Sequence, residues 1–271
     1  MNRYLKTDFI QNGCISAEKK HLNGEVTTHW HDFYELEYIV SGEGSYIIDG
    51  VCYPIKPGLL FFMTPLNFHS VDIKNTQLYN IMFSGNICNL DCMSQLASKS
   101  PVVMDCNENV ESFLIPIMNE LIEQQGNTDF AGLLLNALLS KINIHTKTNS
   151  ETASSPIKKL ELYILNNFRS KLTLDDASKY IMLSPGYVSQ QFKKETGKNF
   201  KAYLNDMRYD YAEKLLTFSD MTVSEICNEC GFDDYPNFIR RFKQHKGMYP
   251  GEYRKKHKIN ATFCPHEEYY L

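Results

Sequence analysis

The last third of the sequence contains an internal repeat, and this repeat restricts the fold more than any other feature. Residues 172–177 (LTLDDA) precede residues 221–226 (MTVSEI) by 49 positions. Three further matches follow at an offset of 50: Phe192-Lys193 with Phe242-Lys243, Gly197 with Gly247, and Tyr203 with Tyr253. A fixed period of this length indicates one supersecondary unit that occurs twice.

Each copy predicts a capped helix, a short turn and a second helix. Thr173 and Thr222 are the expected N-caps, because an acid follows each of them three residues later. Apolar residues at helical spacing line the inner faces of both helices: Leu174, Ala177, Ile181, Val188 and Phe192 in the first copy, and Val223, Ile226, Cys230, Phe238 and Phe242 in the second. This pattern is typical of two helix-turn-helix units.

The outer face of each second helix carries small, polar or cationic residues. These are Gly186, Tyr187, Ser189 and Gln190 in the first copy, and Tyr235, Asn237 and Arg240 in the second. Such residues can reach base edges in a major groove, and Lys193 and Lys246 are expected to contact phosphates. A six-helix bundle with a basic surface is the alternative, and the duplicated turn disfavours it.

Charge is divided unevenly along the chain, whose net charge is −4. Residues 1–155 carry 9 Lys and Arg against 17 Asp and Glu, whereas residues 156–271 carry 19 against 15. The basic excess lies in residues 184–201 and 237–258. This division indicates that only the C-terminal part contacts a polyanion, although a solvated basic face would give the same counts.

The first hundred residues predict short β-strands. Asp49-Gly50 between two apolar segments is a strong hairpin signal, because a type I′ turn needs positive φ at both central residues. Pro57-Gly58 is a second turn, and further strands are expected at residues 35–40, 59–63, 69–73 and 78–83. Short strands with closely spaced turns favour a small barrel or sandwich.

From residue 107 the apolar period becomes helical, and Pro116 is expected to bend or break the first helix. Residues 130–142 are apolar nearly all round, so this helix needs cover on more than one side. A second subunit or the remainder of its own domain could supply that cover. Residues 147–156 (KTNSETASSP) are polar and without apolar period, which predicts a linker.

Two stretches resemble the paired DNA-binding units of AraC/XylS-type bacterial transcription regulators: residues 184–204 (SPGYVSQQFKKETGKNFKAYL) and 230–254 (CGFDDYPNFIRRFKQHKGMYPGEYR). The resemblance implies a linker helix near residues 200–218 and second helices that enter successive major grooves. Carried over by position, the base-reading candidates are Gly186, Ser189, Gln190, Tyr235, Pro236, Asn237, Ile239 and Arg240. Met182 departs from the pattern where the second unit has Gly231. Gly186 has no side chain, so first-unit specificity is expected to depend on Ser189 and Gln190.

The upstream region resembles the cupin-like effector domain of the same regulators. The resemblance is carried by residues 29–35 (HWHDFYE), Gly42, Gly44, Pro57-Gly58 and Pro65. It implies a barrel that binds a small effector, often a sugar, and helices after the barrel that dimerise.

Four residues of this region, His29, His31, Glu35 and His69, also resemble a cupin metal site. On one strand, positions 29, 31 and 35 would share a face. The second half of the motif matches only loosely, so we expect these residues to bind an organic effector, with no metal and no cofactor. A metal ion, or barrel-mouth residues satisfied by hydrogen bonds, are the alternatives. Cys227 and Cys230 have zinc-like spacing without a second pair and are expected to be structural.

The sequence therefore predicts two domains: a barrel at 1–106 with dimerisation helices at 107–146, and, after a linker at 147–156, a DNA-binding domain at 157–258 with a tail at 259–271. No secretory signal or long apolar run is present, which predicts a cytoplasmic protein. The expected protein is an effector-controlled transcription regulator, not an enzyme. Its expected partners are promoter DNA, a small molecule, a second copy and RNA polymerase. A metal-dependent cupin enzyme fused to a DNA-binding domain is the rival hypothesis, and a constitutive DNA-binding protein is a third.

Overall fold

The structure is a computed structural model that describes residues 2–5, 10, 14–146 and 155–258. The chain forms two compact units that separate after residue 152. The predicted linker at 147–156 lies mostly outside the described residues, and the predicted tail at 259–271 lies wholly outside them. No helix among the described residues is long and apolar enough to cross a membrane.

The N-terminal unit is built on one sheet. Its strands within the described residues are β1 (Asn2–Tyr4), β2 (Ile15–His31), β3 (Tyr34–Ile48), β4 (Val51–Ile55), β5 (Leu59–Met63), β6 (His69–Phe83) and β7 (Val102–Asp105). The sheet order is β1-β2-β6-β3-β5-β7, and β4 pairs with β3. The long strand β6 lies between β2 and β3 in this order, so side chains from all three strands can share one face of the sheet.

The predicted hairpin is confirmed by the pairing of β3 with β4. Asp49 and Gly50 at its turn have φ values of 50° and 84°. The Asp49 carboxylate also accepts hydrogen bonds from the Phe68 backbone N–H at 3.1 Å and from the Asn67 side chain at 2.8 Å. The aspartate therefore fixes the hairpin against the segment that leads into β6.

Two expectations for the N-terminal unit are wrong. The strands expected at residues 69–73 and 78–83 are one strand, β6, because the polar residues between them keep pairing with β2 through a register shift. The prediction of strands alone before residue 100 misses α1 (Leu90–Ala97). Asn89 caps this helix by accepting hydrogen bonds from the N–H groups of Asp91 and Cys92.

Two long helices, α2 (Glu108–Gln124) and α3 (Thr128–Thr146), follow the sheet. Pro116 lies inside α2, so of the two outcomes expected there, a bend or a break, the break does not occur. Burial of Val110, Leu114, Met118 and Leu121 along one face outweighs the single backbone hydrogen bond that proline removes. The helix α3 buries five apolar side chains but leaves Leu133 and Ile144 exposed, at 68% and 63% of their surface.

The C-terminal unit is entirely helical within the described residues. It contains α4 (Pro156–Asn167), α5 (Leu174–Tyr180), α6 (Pro185–Thr196), α7 (Phe200–Phe218), α8 (Val223–Glu229), α9 (Tyr235–Lys246) and α10 (Pro250–His257). The pairs α5–α6 and α8–α9 are the two helix-turn-helix units, and α7 joins them. The predicted fold class, a sheet-rich N-terminal domain followed by a helical double helix-turn-helix domain, is confirmed.

The duplication extends to side-chain contacts that the sequence repeat only suggested. The rings of Phe192 and Tyr203 meet at 5.2 Å and 89°, and those of Phe242 and Tyr253 at 5.8 Å and 87°. The Tyr203 hydroxyl donates to Glu161 on α4, and the Tyr253 hydroxyl donates to Glu213 on α7. In each copy, a tyrosine on the helix after the unit packs on the phenylalanine of the unit and forms a half-buried hydrogen bond to a glutamate on the helix before the unit.

The turns within the two units share a backbone conformation but differ in their surroundings. Met182 and Gly231 have positive φ values of 56° and 76°, as expected of the corresponding turn positions. A Cβ atom at Gly231 would lie 2.5 Å from the carbonyl oxygen of Arg169. Met182 has 92% of its surface exposed. The departure from the glycine pattern is tolerated in the first unit because the Met182 side chain extends into solvent.

Candidate DNA-reading helices and effector cavity

The second helices of the two units, α6 and α9, begin and end in the same way. Ser184 caps α6 through the Tyr187 N–H, and Asp234 caps α9 through the Asn237 N–H. Both helices have 12 residues and end at a glycine in the left-handed conformation. They therefore present corresponding faces to solvent.

Most of the predicted DNA-contacting residues lie on these outer faces. The exposed ones are Gly186, Tyr187, Ser189, Gln190, Lys193, Tyr235, Pro236 and Arg240, and the half-buried ones are Asn237 and Ile239. The opposite face of α6 buries Val188 and Phe192, and that of α9 buries Phe238 and Phe242. The hydrophobic core thus fixes which side of each helix is available to a partner.

Asn237 orders two arginines on α9. Its Oδ1 atom accepts a hydrogen bond from Arg240 Nη2 at 3.0 Å and another from Arg241 Nε at 3.0 Å. Sequence reasoning selected Arg240 and missed Arg241. The signal available was the adjacent pair of arginines one helical turn after an asparagine.

Lys246 lies against the linker helix α7. Its ammonium group forms ion pairs with Asp210, at 2.8 Å, and with Glu213, both on α7. Its side chain is only 16% exposed. These two carboxylates hold the charge of Lys246 against the linker helix, and the expected phosphate contact of this residue stays a prediction.

Cys227 and Cys230 are free, buried thiols. Burial raises the pKa of both thiols, so neither is a nucleophile or a ready metal ligand. Cys230 is fully buried and fills the core of the second unit.

The N-terminal unit contains a partly open cavity of about 270 Å³. The four residues that sequence analysis selected, His29, His31, Glu35 and His69, all lie on its wall. One part of the wall is polar, and the remainder is apolar, formed mainly by Val26, Ile39, Ile55, Val71, Ile73 and Leu78. A cavity of mixed polarity of this kind suits a small organic molecule.

The polar side chains converge from three strands. His31 ends β2, Glu35 stands near the start of β3, and His69 begins β6. The expectation that residues 29, 31 and 35 share one strand is wrong, because a bend at Asp32-Phe33 ends β2 and the chain continues into β3 at Tyr34. Glu35 Oε2 lies 3.1 Å from His31 Nε2 and 3.3 Å from His69 Nε2. His29 packs its ring on that of His69, with centroids 4.1 Å apart.

The hydrogen bonds assign protons in this cluster. His31 Nδ1 lies 2.8 Å from the Phe33 carbonyl oxygen, which can only accept, so Nδ1 carries a proton. His31 Nε2 lies 3.1 Å from Glu35 Oε2, so both ring nitrogens of His31 have a buried hydrogen-bond partner. Burial alone would raise the pKa of Glu35, but hydrogen bonds from His31 and His69 outweigh it and hold this pKa well below its usual range.

The other two histidines of this cluster, His29 and His69, are uncharged at neutral pH. Burial, followed by the nearby His69, lowers the pKa of His29 to about 3, and its Nδ1 lies 3.0 Å from the Thr27 carbonyl oxygen. Burial also lowers the pKa of His69. The polar part of the cavity is therefore not a cationic site for anions.

Three of these side chains could hold a metal ion. The ligand atoms of His31, Glu35 and His69 lie within 4.8 Å of one another. His31 has the supporting hydrogen bond to a backbone carbonyl that metal-binding histidines usually have. His69 Nδ1 has no hydrogen-bond partner among the described residues, so the second histidine lacks that support. The geometry thus fits a metal only in part.

Sequence reasoning missed two polar residues of the cavity wall, Glu37 and Asn80. Burial, followed by the charge of Glu35, raises the pKa of Glu37 to about 7. The available signal was Glu35-x-Glu37 inside an otherwise apolar strand, since residues two apart share a face. Asn80 gave no comparable signal, because its position opposite β3 depends on long-range pairing.

Comparison with known proteins finds matches to both halves of the chain. Residues 177–256 match a family model described as a helix-turn-helix domain, and residues 17–141 match one described as an AraC-like ligand binding domain. The chain is 28% identical to YijO, an uncharacterized HTH-type transcriptional regulator of Escherichia coli K12, with 97% of this chain and 96% of that protein covered.

Two further matches concern an activator and a solved structure. The chain is 25% identical to the HTH-type transcriptional activator RhaR of Escherichia coli K12, over 93% of this chain and 96% of that protein. It is 29% identical to the C-terminal domain of AraT, a response regulator from Geobacillus stearothermophilus, with a TM-score of 0.39, over 42% of this chain and 94% of that one.

Proposed function

This chain belongs to the AraC family of DNA-binding transcription regulators, and we propose that a small organic molecule in its N-terminal cavity controls which DNA sites it occupies. The observation that carries the proposal is the convergence of His29, His31, Glu35 and His69 on one cavity of mixed polarity. A ligand there contacts β2, β3 and β6 together. By binding one arrangement of the unit better than another, it shifts the equilibrium between them.

On the DNA side, we propose that α6 and α9 read bases. Ser189 and Gln190 serve in the first unit, and Asn237 and Arg240 serve in the second, with Tyr187, Tyr235, Pro236 and Ile239 beside them. The exposure of these residues and the burial of the opposite helix faces support this assignment. Lys193 contacts phosphates, since it lies on the same exposed side of α6 one turn further along.

We further propose that the protein acts in the cytoplasm as a homodimer that contacts RNA polymerase, and that it is not an enzyme. The dimer proposal is supported by an apolar stripe on α3 formed by Phe130, Leu133 and Ile144. Exposed apolar residues at helical spacing are typical of subunit contacts. A dimer should occupy two copies of the DNA site where the isolated C-terminal unit occupies one, and footprinting of both proteins distinguishes these cases.

The effector proposal predicts ligand binding without a resident metal. Purified full-length protein is expected to contain no stoichiometric transition metal. A small organic metabolite should raise its melting temperature, because a ligand that binds only the folded state stabilises it by mass action. Elemental analysis and thermal unfolding with candidate metabolites measure both. About one ion per chain, lost on replacing His31 and His69 with alanine, would favour the metal-dependent enzyme instead.

A further inference from the structure

The cavity contains a second buried carboxylate, Glu37, which the effector proposal above does not use. It lies two residues after Glu35 on β3, and only 7% of its surface is exposed. Asn80 Nδ2 donates to Glu35 Oε1 at 2.7 Å and to Glu37 Oε1 at 2.8 Å. One amide group therefore uses both of its N–H bonds to hold two carboxylates side by side.

The two carboxylates differ in the groups that contact them. Glu35 lies against His31 and His69, as its short contacts show. Glu37 is contacted by neutral donors, the Asn80 amide and the Tyr46 hydroxyl. Lys20 is the one lysine among the described residues of the cavity wall, and its Nζ lies 3.1 Å from Glu18 Oε1. Glu37 thus has no cationic partner of its own among the described residues of the cavity.

Unused hydrogen-bond acceptors lie at the same place. Asn80 Oδ1 is buried and has no partner among the described residues, although Asn80 is only 1% exposed. A buried acceptor without a partner is costly, so such groups usually face a water or a ligand. An anionic ligand would meet two carboxylates here. A neutral polyol would satisfy Asn80 but would leave the charge of Glu37 unmatched.

The remaining wall is apolar and belongs to the same cavity. Ile39, Val71 and Leu78 are buried residues of β3 and β6 that line it. A ligand that fills this space therefore needs a hydrocarbon part as well as a donor group. Both requirements are met by a short amine with an aliphatic or alicyclic body.

We propose that the effector is a small organic amine whose protonated nitrogen donates hydrogen bonds to Glu37 and to Asn80 Oδ1, with its hydrocarbon part packed on Ile39, Val71 and Leu78. The inference rests on the proposed effector role of the cavity and specifies the chemical class of the effector. It also assigns Glu37, rather than the histidines, as the residue that selects the charge of the ligand.

The test uses three ligands with one ring and different charges: cyclohexylmethylamine, cyclohexylmethanol and cyclohexanecarboxylate. Isothermal titration of the full-length protein at pH 8 is expected to show the amine binding at least tenfold more tightly than the alcohol, and no binding of the carboxylate. Replacing Glu37 with glutamine should weaken amine binding about tenfold and alcohol binding much less, because an amide cannot form the charge-assisted hydrogen bond that only the amine makes. Glu18→Gln, which changes an acid outside the cavity wall, is the matched control and should bind the amine as the unchanged protein does.

The ranking of the three ligands on the unchanged protein needs no variant, so misfolding of Glu37→Gln would not leave the question open. Equal or tighter binding of the alcohol or the carboxylate overturns the amine assignment but supports the cavity as an effector site. If Zn²⁺ or Mn²⁺, added after treatment with EDTA, binds at one ion per chain and excludes the amine, the amine assignment is overturned and the metal-dependent enzyme is favoured. Binding of none of these probes overturns the amine assignment. If, in addition, no candidate metabolite raises the melting temperature of the full-length protein, the proposal that the cavity binds an effector is overturned as well.

Discussion

Replacing Arg240 with alanine is expected to relax the preference for one base pair in the DNA site by about 10- to 100-fold. A guanidinium that pairs with O6 and N7 of guanine contributes roughly 1–3 kcal/mol of discrimination against other bases. Arg240 is exposed on α9, and Asn237 holds its side chain with a hydrogen bond of 3.0 Å, which orients the group before DNA is bound. Binding-site selection from random DNA, performed with both proteins, measures the preference position by position.

Lys193→Ala is the control for this experiment. It removes one exposed charge from α6 and should weaken binding to all sequences alike, with the salt dependence reduced by about one unit of slope. If Arg240→Ala instead leaves the selected sequence unchanged and lowers all affinities equally, Arg240 contacts a phosphate and the base-reading role is wrong.

Replacing Gly231 with alanine is expected to destabilise the C-terminal unit by about 3 kcal/mol or more. Two effects add in the same direction. An alanine in the left-handed conformation costs roughly 1–2 kcal/mol. Its Cβ would also lie 2.5 Å from the Arg169 carbonyl oxygen and 3.1 Å from the Arg169 Cα, so backbone rather than a flexible side chain would have to move. Urea titration of a fragment of residues 153–260 measures the free energy of unfolding.

Met182 supplies the matched control, because it occupies the corresponding turn of the first unit and also has positive φ. Met182→Ala should change the stability little, and Met182→Gly should raise it by up to about 1 kcal/mol, since glycine relieves the left-handed strain and nothing packs on that side chain. If Gly231→Ala lowers the free energy of unfolding no more than Met182→Ala does, the close approach of the Arg169 carbonyl to Gly231 does not have the role assigned to it.

Local chemistry explains which parts of the fold could be predicted from the sequence. Thr173 and Thr222 form complete capping boxes with Asp176 and Glu225, and these depend on residues three apart. The hairpin at Asp49-Gly50 likewise depends on adjacent residues. The continuity of β6 and of α2 through Pro116 could not be predicted, because sheet pairing and burial against distant residues outweigh the local signals there.

In the candidate sites, too, some residues could be predicted from a local motif, whereas the roles of others depend on long-range packing. His31, Glu35 and His69 were recognised as a group because they form a motif, and the structure brings them together. The role of Asn80 depends on its pairing opposite Glu37, 43 residues away, which no local pattern reveals. Lys246 was assigned to phosphate on its charge alone, whereas its ion pairs with α7 depend on helix packing.

The most direct test of the central claim is hydroxyl-radical footprinting of promoter DNA bound by a fragment of residues 153–260. The DNA used is a promoter to which the full-length protein binds. One fragment is predicted to fold alone and to protect two short blocks about 10 bp apart on one face of the duplex, because α6 and α9 would enter successive major grooves. Its affinity should fall steeply with salt as phosphate contacts release counterions. A folded fragment that protects no DNA at low salt, or only one block, would contradict the claim that both helix-turn-helix units bind DNA.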